Sequence, residues 1–384
     1  MDPSFYRVSA RSRLSGGLWA ALLVTAAISY PAGPAAAESP VLRWDGHIRV
    51  RTATSDRTFM PDAAVRNSTE LRSRFGVGTT VKSNATVYIQ LQDSRVLGGE
   101  GATGEPTSGT LNDGHNVDLH QAWLRVTELI GPDVGLRAGR FEVNTGNQRV
   151  FGSVGWHNVG RSWEGITLET RPAEDWKADF HWLKRLELDD PAENRDFDVL
   201  LANVACSHGL EVFGVLEKDA DAAPGSPARL DALRRWTTGV YARHDGGSWD
   251  IEANLAHQGG DKELLVGTTL VEQEISANLV TAEIGVPLNT RRPARLAAGV
   301  DYASGDSSPG AGKFSAYDNL YYTGHKFRGY MDYFLASGTD GLVDWMARAS
   351  FQPADRWTAK LDWHLFRTAV DRPAFDGGMT KDVG

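Results

Sequence analysis

Three arginines, Arg140, Arg149 and Arg161, lie in the glycine-rich stretch from Gly139 to Gly165. Glycine is too frequent there for a helix, and the side chains are too polar for a buried strand. A phosphate-binding loop would carry a lysine and open a helix, and this stretch contains no lysine. The pattern predicts arginines held on a tight backbone, a chemistry suited to binding carboxylates.

A metal site would need closely spaced ligands, and the best grouping in the sequence is His115 and His120 with Asp113 and Asp118. Its spacing matches neither a zinc signature nor an EF-hand loop. The single cysteine, Cys206, excludes an intramolecular disulfide and a cysteine-based zinc site. The sequence therefore predicts no bound metal and no cofactor.

Ser94, Ser153 and Ser162 lie near histidines in the sequence, which is the minimum for a nucleophilic hydrolase. No G-x-S-x-G motif accompanies them. The formal net charge of −9 also argues against a nucleic-acid-binding protein. We therefore expect neither an enzyme nor a nucleic-acid partner.

The first residues indicate export. Three arginines precede the apolar run Leu18–Ile28, and small residues at positions 35–37 form a cleavage signal. This is the pattern of a secretory signal peptide, and the apolar run is too short to cross a bilayer as a helix. We predict a signal peptide over residues 1–37 and a single domain over residues 38–384.

The predicted domain is a succession of segments whose apolar and polar side chains alternate. In one of them Trp357, Leu361 and Trp363 share a face, whereas Lys360 and Asp362 share the other. Successive side chains of a strand point to opposite faces, so this alternation predicts an all-β chain. A soluble sandwich and a membrane barrel both produce such a pattern.

Three features favour a transmembrane antiparallel β-barrel over a soluble carbohydrate-binding β-sandwich. The polar faces carry full charges, tryptophan and tyrosine recur at segment ends, and short turns alternate with long loops rich in glycine and aspartate. About 16 strands are visible between Leu42 and Phe366, enough to enclose a water-filled lumen. The chain ends on a polar stretch from Asp371, so we expect the closing C-terminal strands to be missing.

Arginine is concentrated in one part of this domain, because residues 38–171 contain 14 arginines and one lysine. The alternation places seven of them on the polar, lumen-facing side: Arg43, Arg49, Arg51, Arg72, Arg74, Arg125 and Arg137. These side chains either pair with acids on neighbouring strands or form an electropositive constriction that passes anions. The two arrangements are compatible with each other.

Five stretches resemble, in order along nearly the whole chain, the alginate export family of outer-membrane porins: IQLQDSR (89–95), DLHQAWL (118–124), RAGRFEVNTGNQRVFG (137–152), GWHNVGRSWEG (155–165) and GHKFRGYMDYF (324–334). The resemblance implies a monomeric, eighteen-stranded barrel whose arginine-rich lumen passes a polyuronate. The domain departs from the family at its C-terminal end, where closing strands are lacking, which supports a truncation.

At the matching positions, the resemblance implies a pore role for six arginines: Arg74, Arg95, Arg125, Arg140, Arg149 and Arg161. The polar strand faces add three more to the predicted substrate-binding set: Arg49, Arg72 and Arg137. Asp93 and Glu142 are their predicted acidic partners.

We therefore predict a channel in the outer membrane of a Gram-negative bacterium. Its predicted solute is an anionic polysaccharide resembling alginate or a related sugar acid, and its other partners are outer-membrane lipid and periplasmic export components. The alternative is a general anion-selective porin that takes up small sugar acids. The direction of transport stays open between export and uptake.

Overall fold

The structure, a computed structural model, describes residues 42–55, 66–97, 117–188, 195–220, 233–266, 269–308, 310, 312–330, 332, 337–373 and 379–382. The predicted signal peptide lies outside the described residues, as do His115 and Asp113 of the candidate metal grouping. Within the described ranges, no helix has the length and apolar character needed to cross a membrane.

The described chain forms a single 17-stranded sheet. Its strands are β1 (Leu42–Ser55), β2 (Arg66–Lys82), β3 (Ala85–Val96), β4 (Asp118–Val126), β5 (Val134–Phe141), β6 (Trp163–Ala173), β7 (Trp176–Leu188), β8 (Arg195–Cys206), β9 (Leu210–Ala220), β10 (Leu233–Asp245), β11 (Asp250–Val266), β12 (Thr269–Leu288), β13 (Ala294–Ala303), β14 (Lys313–Phe314), β15 (Leu342–Ala354), β16 (Trp357–Pro373) and β17 (Met379–Asp382). A single 3₁₀ turn, Gly324–Lys326, lies between β14 and β15.

Sixteen of these strands are antiparallel and follow one another as a meander, with β13 pairing directly to β15. The two-residue β14 instead runs parallel to β12. Tight turns such as those at 83–84, 174–175 and 355–356 lie at one end of the strands, and most of the longer connections lie at the other. We call these the short-turn end and the long-loop end. The predicted transmembrane antiparallel barrel, with about 16 strands visible, is confirmed.

The two faces of the sheet are inverted relative to a soluble protein. On the outward face Trp44, Ile48 and Leu361 are 77%, 76% and 71% exposed. On the lumen face the polar side chains of Gln258 and Asp344 are both 0% exposed. An apolar exterior around a polar interior is the arrangement that lipid imposes on a β-barrel, and it excludes the soluble sandwich.

One part of the lumen wall is apolar, which the alternation of charges did not predict. Val199 and Leu201 on β8 and Val215 on β9 face inward and are almost completely buried. They pack in one cluster with Phe151 and Trp163, which lie in and next to the connection between β5 and β6. This wall is apolar because another part of the chain covers it in place of water.

The outward apolar face gives a test of the membrane placement. Leu255 on β11 is 55% exposed and lies opposite Val240 and Val280, which also face outward. A Leu255→Arg substitution should lower the free energy of unfolding by about 2–4 kcal/mol, the cost of a cation near the bilayer midplane. The measurement is urea unfolding in lipid vesicles followed by tryptophan fluorescence. Leu255→Val is the control, and an equal loss in both variants would contradict the placement.

Candidate functional site

Two connections from the long-loop end fold back into the lumen. Inner segment A, residues 142–162, joins β5 to β6, and inner segment B, residues 304–341, joins β13 to β15. Segment A makes up most of the glycine-rich stretch 139–165, whose two ends belong to β5 and β6. Gly146 and Gly160 have φ of 46° and 85° there, a backbone region that favours glycine.

Arginines of β1 and β2 hold segment A by its backbone. Arg49 donates from Nη1 to the carbonyl of Gly155 at 3.0 Å and from Nη2 to that of His157 at 3.1 Å. Arg72 donates from Nη1 to the same two carbonyls, at 3.0 and 2.9 Å. Backbone carbonyl groups need donors, and these two guanidinium groups provide them where no strand is adjacent.

Arg74 attaches segment A at a position two residues further along the chain. Its Nε donates to the Gln92 side chain at 2.6 Å, and its Nη2 donates to the carbonyl of Val159 at 3.0 Å. Its Nη1 lies 3.2 Å from Oε1 of Glu142, at the start of segment A. Arg74 therefore ties both ends of the segment to β2 and β3.

Glu142 also accepts a hydrogen bond from His120, with 2.8 Å between Oε1 and Nε2. Burial alone would raise the pKa of the Glu142 carboxyl, but the hydrogen bonds and charges of His120 and Arg74 outweigh it and lower that pKa. Glu142 therefore stays ionised, and a buried carboxylate between two donors fixes the place where the chain leaves β5.

His120 also contacts Ser162, with 3.2 Å between Nδ1 and the hydroxyl oxygen. Ser162, His120 and Glu142 are thus arranged in the order of a nucleophile, a base and an orienting acid. His120 is only 4% exposed, and its imidazole lies between segment A and β4. The contacts of His120 with Glu142 and Ser162 thus hold both ends of segment A against β4.

Arg149 and Arg161 connect segment A to the opposite side of the lumen. Arg149 forms a bidentate ion pair with Asp301 on β13, at 2.5 and 2.8 Å, and lies 3.7 Å above the ring of Phe327 in segment B. Arg161 donates to the carbonyls of Gly152 and Tyr321. Burial, reinforced by neighbouring Arg185, lowers the pKa of Arg161 to about 10, so it remains a cation at neutral pH.

Arg125 and Arg137 share one acid near the short-turn end of the lumen. Their Nε atoms lie 2.6 and 3.8 Å from the carboxylate of Glu169 on β6. The guanidinium of Arg137 also lies 4.2 Å above the ring of Phe141. Two cations thus share one carboxylate here, and Asp179 on β7 lies directly opposite Glu169 in the strand register.

Arg95 and Arg140 lie on the face of the sheet that points away from the lumen. The alternation along β3 puts Ser94 inward and Arg95 outward, where Arg95 pairs with Asp93 at 2.8 Å. Arg140 is opposite Glu164 on β6 and pairs with it at 3.0 Å. Glu164 is 66% exposed at its side chain, on the outward face.

The two tryptophans of this region have different positions. Trp163 packs against Phe151 and Tyr321 in the buried cluster. Trp156 lies between Arg51, whose guanidinium is 4.5 Å from the ring centre, and His325 of segment B, stacked at 4.1 Å. Both faces of Trp156 are therefore occupied by protein.

A chamber of about 810 Å³ lies between the inner segments and β12 to β16. Four basic side chains line it, Arg295, Lys326, Arg348 and Lys360, against two acidic ones, Glu283 and Asp362. A second cavity of about 460 Å³ continues from the chamber. The two cavities have four lining residues in common: Glu283, Arg295, Lys326 and Arg348.

The chamber's acids are engaged by arginines. Glu283 lies 2.6 Å from Arg348 and 3.0 Å from Arg295. Lys326 donates to the carbonyl of Asn147 at 3.0 Å, and burial lowers its pKa. Within the described ranges no carboxylate forms an ion pair with Lys326 or Lys360. These two lysines are the cations that the chamber leaves available.

Sequence reasoning missed the four basic residues of the chamber. The alternation places Lys360 on the polar face of its strand. The high arginine count of the first half, however, gives no indication of a cationic surface on β13 to β16. Lys326 lies on segment B, where no periodicity indicates which side chains enter the lumen. Among the described residues, no group of three or more histidine, cysteine or carboxylate side chains could hold a metal ion.

A family model described as alginate export matches residues 42–377. No curated protein sequence matches the chain. OccK10 (OpdN) of Pseudomonas aeruginosa is 10% identical over 89% of this chain and 84% of that chain, with a TM-score of 0.50.

Two further solved structures are similar at a lower TM-score. The outer membrane channel DcaP of Acinetobacter baumannii is 10% identical over 89% of this chain and 93% of that chain, with a TM-score of 0.46. An anion-selective porin from Comamonas acidovorans is 10% identical over 86% of this chain and 89% of that chain, with a TM-score of 0.44. At such identities the likeness concerns the fold alone.

The anchoring of segment A gives a second prediction. Arg72→Met should loosen the segment while the barrel stays assembled, because hydrogen bonds from a charged donor contribute about 1.5–3 kcal/mol each. We expect a larger and noisier single-channel conductance in planar bilayers. Arg292→Met, which removes an arginine paired with Asp355 at an exposed turn, is the control. An unchanged conductance in Arg72→Met would show that the segment is held without this side chain.

Glu142 gives a prediction on pH. A carboxyl whose pKa is lowered in the folded state stabilises the docked segment above its ordinary value of 4.5 and loses that effect as the pH falls through the lowered value. Conductance noise should therefore rise on acidification below that ordinary value in the wild type. Glu142→Gln should show the raised noise already at neutral pH and little further change. Identical pH profiles for the two proteins would disprove this role.

Proposed function

The chain belongs to the alginate export family, and we propose that it is a monomeric outer-membrane channel for anionic carbohydrate in a Gram-negative bacterium. The proposed solute is a polyuronate resembling alginate, or a sugar acid of the same chemistry. A uronate chain carries one carboxylate per sugar, so it needs a passage with cations at intervals along the path.

The observation that carries this proposal is the charge of the chamber. Its four basic and two acidic side chains give a surplus of two positive charges. Because Glu283 is held by Arg295 and Arg348, the charge that reaches a solute is that of Lys326 and Lys360. Lysines that lack a carboxylate partner can bind a passing carboxylate and release it again, as conduction requires.

The arginines on the lumen side support this role in two ways. Seven of the nine predicted arginines face the lumen: Arg49, Arg72, Arg74, Arg125, Arg137, Arg149 and Arg161. We propose that Arg125 and Arg137, which share Glu169, contact the solute near the short-turn end. The other five hold the inner segments in place and add their charge to the field of the passage.

An aromatic ring in the chamber is suited to a sugar. Tyr330 lines the same chamber as Lys326 and Lys360, and it is 58% exposed. A ring with an open face can pack on the apolar face of a pyranose while a neighbouring cation binds its carboxylate. Trp156 is unsuited to this contact, because Arg51 and His325 cover both of its faces.

A second candidate is a general anion-selective porin for small sugar acids. The chamber volume of about 810 Å³ lies within the range of cavities that enclose small molecules, about 300–1,000 Å³. The multiple attachments of segment A also favour a passage of fixed width. Liposome swelling with monomeric uronates, compared with block of single channels by polyuronate, separates the two candidates.

The charge of the chamber gives a direct test. The double variant Lys326→Gln/Lys360→Gln should reduce the anion-to-cation permeability ratio by roughly twofold or more, because fixed charges act over about 8 Å at physiological salt. The ratio is measured as a reversal potential across a salt gradient in planar bilayers, and polyuronate should block the variant less strongly. Arg292→Gln, at an exposed turn, is the control for loss of a positive charge. A wild-type channel that prefers cations would disprove the proposal.

A further inference from the structure

The outward face of β9 and β10 carries two cations side by side. Lys218 and Arg234 are directly opposite each other in the strand register. The alternation places them outside, because the adjacent Glu217 and Arg235 are 2% and 8% exposed on the lumen side. Like charges at directly opposed positions repel, so such a pair is stabilised by a shared anion.

Two acids flank the cations in the register, Asp198 on β8 and Asp261 on β11, which is opposite Arg234, but neither forms an ion pair with them. Asp198 on β8 is opposite Lys218, but its carboxylate lies 3.2 Å from Lys184 and accepts a hydrogen bond from Trp182 at 3.1 Å. Neither Lys218 nor Arg234 forms an ion pair with a described residue. The two side chains thus point toward the lipid that surrounds the barrel.

An apolar groove lies next to this pair on the same strands. One position further from the long-loop end, Leu200, Leu216 and Trp236 are in register and are 46%, 54% and 40% exposed. The following row contains Gly214, where an added Cβ would meet no heavy atom within 4 Å. With Phe180 on the far side, these residues line an outward depression of about 430 Å³.

The order of these features along the strands matches the order of groups in a lipid. Two residues of a strand correspond to about 7 Å, so the cations lie about one headgroup depth above the groove. The cations are on the long-loop side, and in outer-membrane barrels the long loops face the cell exterior. Trp236 lies in the row of the groove nearest the cations, at the level where tryptophan prefers to mark a membrane interface.

We propose that this surface is a binding site for one lipid of the outer leaflet that carries a phosphate on its headgroup. The phosphate lies between Arg234, whose planar guanidinium can donate two parallel hydrogen bonds, and Lys218, whose ammonium is a compact point charge. An acyl chain lies in the depression above Gly214, against Phe180 and Leu216. The site is independent of the lumen and of the solute that passes through it, and it rests on the outer-membrane location.

A second copy of the chain is the other occupant that an outward apolar groove could take. The charge favours lipid, since two adjacent cations at the upper edge of the groove, neither of which forms an ion pair with a described residue, would face an apolar neighbour in the bilayer. The depression is also narrow, with small residues in one row, Ala202, Gly214 and Thr238, between larger ones. That shape fits a single chain of methylene groups better than the wall of another barrel.

Native mass spectrometry of the full-length protein tests the proposal. The protein is delipidated in detergent and titrated with bisphosphorylated lipid A or with its dephosphorylated form. We expect one phosphorylated lipid to be retained. Lys218→Gln/Arg234→Gln should weaken retention by roughly tenfold or more, the effect of removing two cations from an anionic lipid surface. Gly214→Leu fills the groove and should weaken the binding of both lipid forms.

Arg140→Gln is the matched control, because Arg140 is an outward cation that already has a partner, Glu164. It should retain lipid as the wild type does, and all variants should keep the wild-type conductance. Equal retention of phosphorylated and dephosphorylated lipid, or equal retention by all variants, would overturn the proposal. A wild-type dimer that Gly214→Leu converts to a monomer would also overturn it, in favour of a contact between copies.

Discussion

A backbone carbonyl that enters the lumen without a neighbouring strand must find a donor, and this requirement shapes the interior of the barrel. Segment A carries such carbonyls at Gly155, His157 and Val159, and each accepts a hydrogen bond from an arginine of β1 or β2. Arginine is suited to this task because its fork reaches two acceptors at once and stays charged at any pH the cell meets. The concentration of arginine in the first strands is therefore explained first by the fold. The contribution of the same side chains to the field of the passage belongs to the proposed function.

The charges of the lumen separate into two groups with different partners. Two buried arginines attach the inner segments to the wall: Arg149 of segment A pairs with Asp301 on β13, and Arg235 on β10, which is also paired with Glu217 on β9, pairs with Asp318 of segment B. Lys326 and Lys360 face a chamber and have no such pair among the described residues. A buried pair is costly to break, whereas a solvated lysine exchanges partners readily. In the proposed channel, attachment of the inner segments and recognition of the solute are carried by different cations.

The strands and their orientation could be predicted from the sequence because a period of two identifies both. Trp357, Leu361 and Trp363 face outward as the alternation requires. The partners of the arginines could not be predicted, because they depend on the path of a connection that has no period. Arg95 and Arg140 entered the predicted set through matching motifs, and their side of the sheet follows from local register. The apolar lumen side of β8 was missed because the expectation of a wet lumen does not allow for a wall that another segment covers.

Trp156 has a consequence for how such a channel can diversify. Its ring packs against Arg51 of the wall and against His325 of segment B, so both inner segments and the wall meet at this side chain. Lys326 belongs to the same set of attachments through its hydrogen bond to Asn147, whereas Lys360 on β16 lines the chamber without such a contact among the described residues. Lys360 can therefore be exchanged without loss of an attachment between the inner segments. A lineage with this architecture can acquire a new cargo by substitutions at a few chamber positions while its scaffold is inherited unchanged.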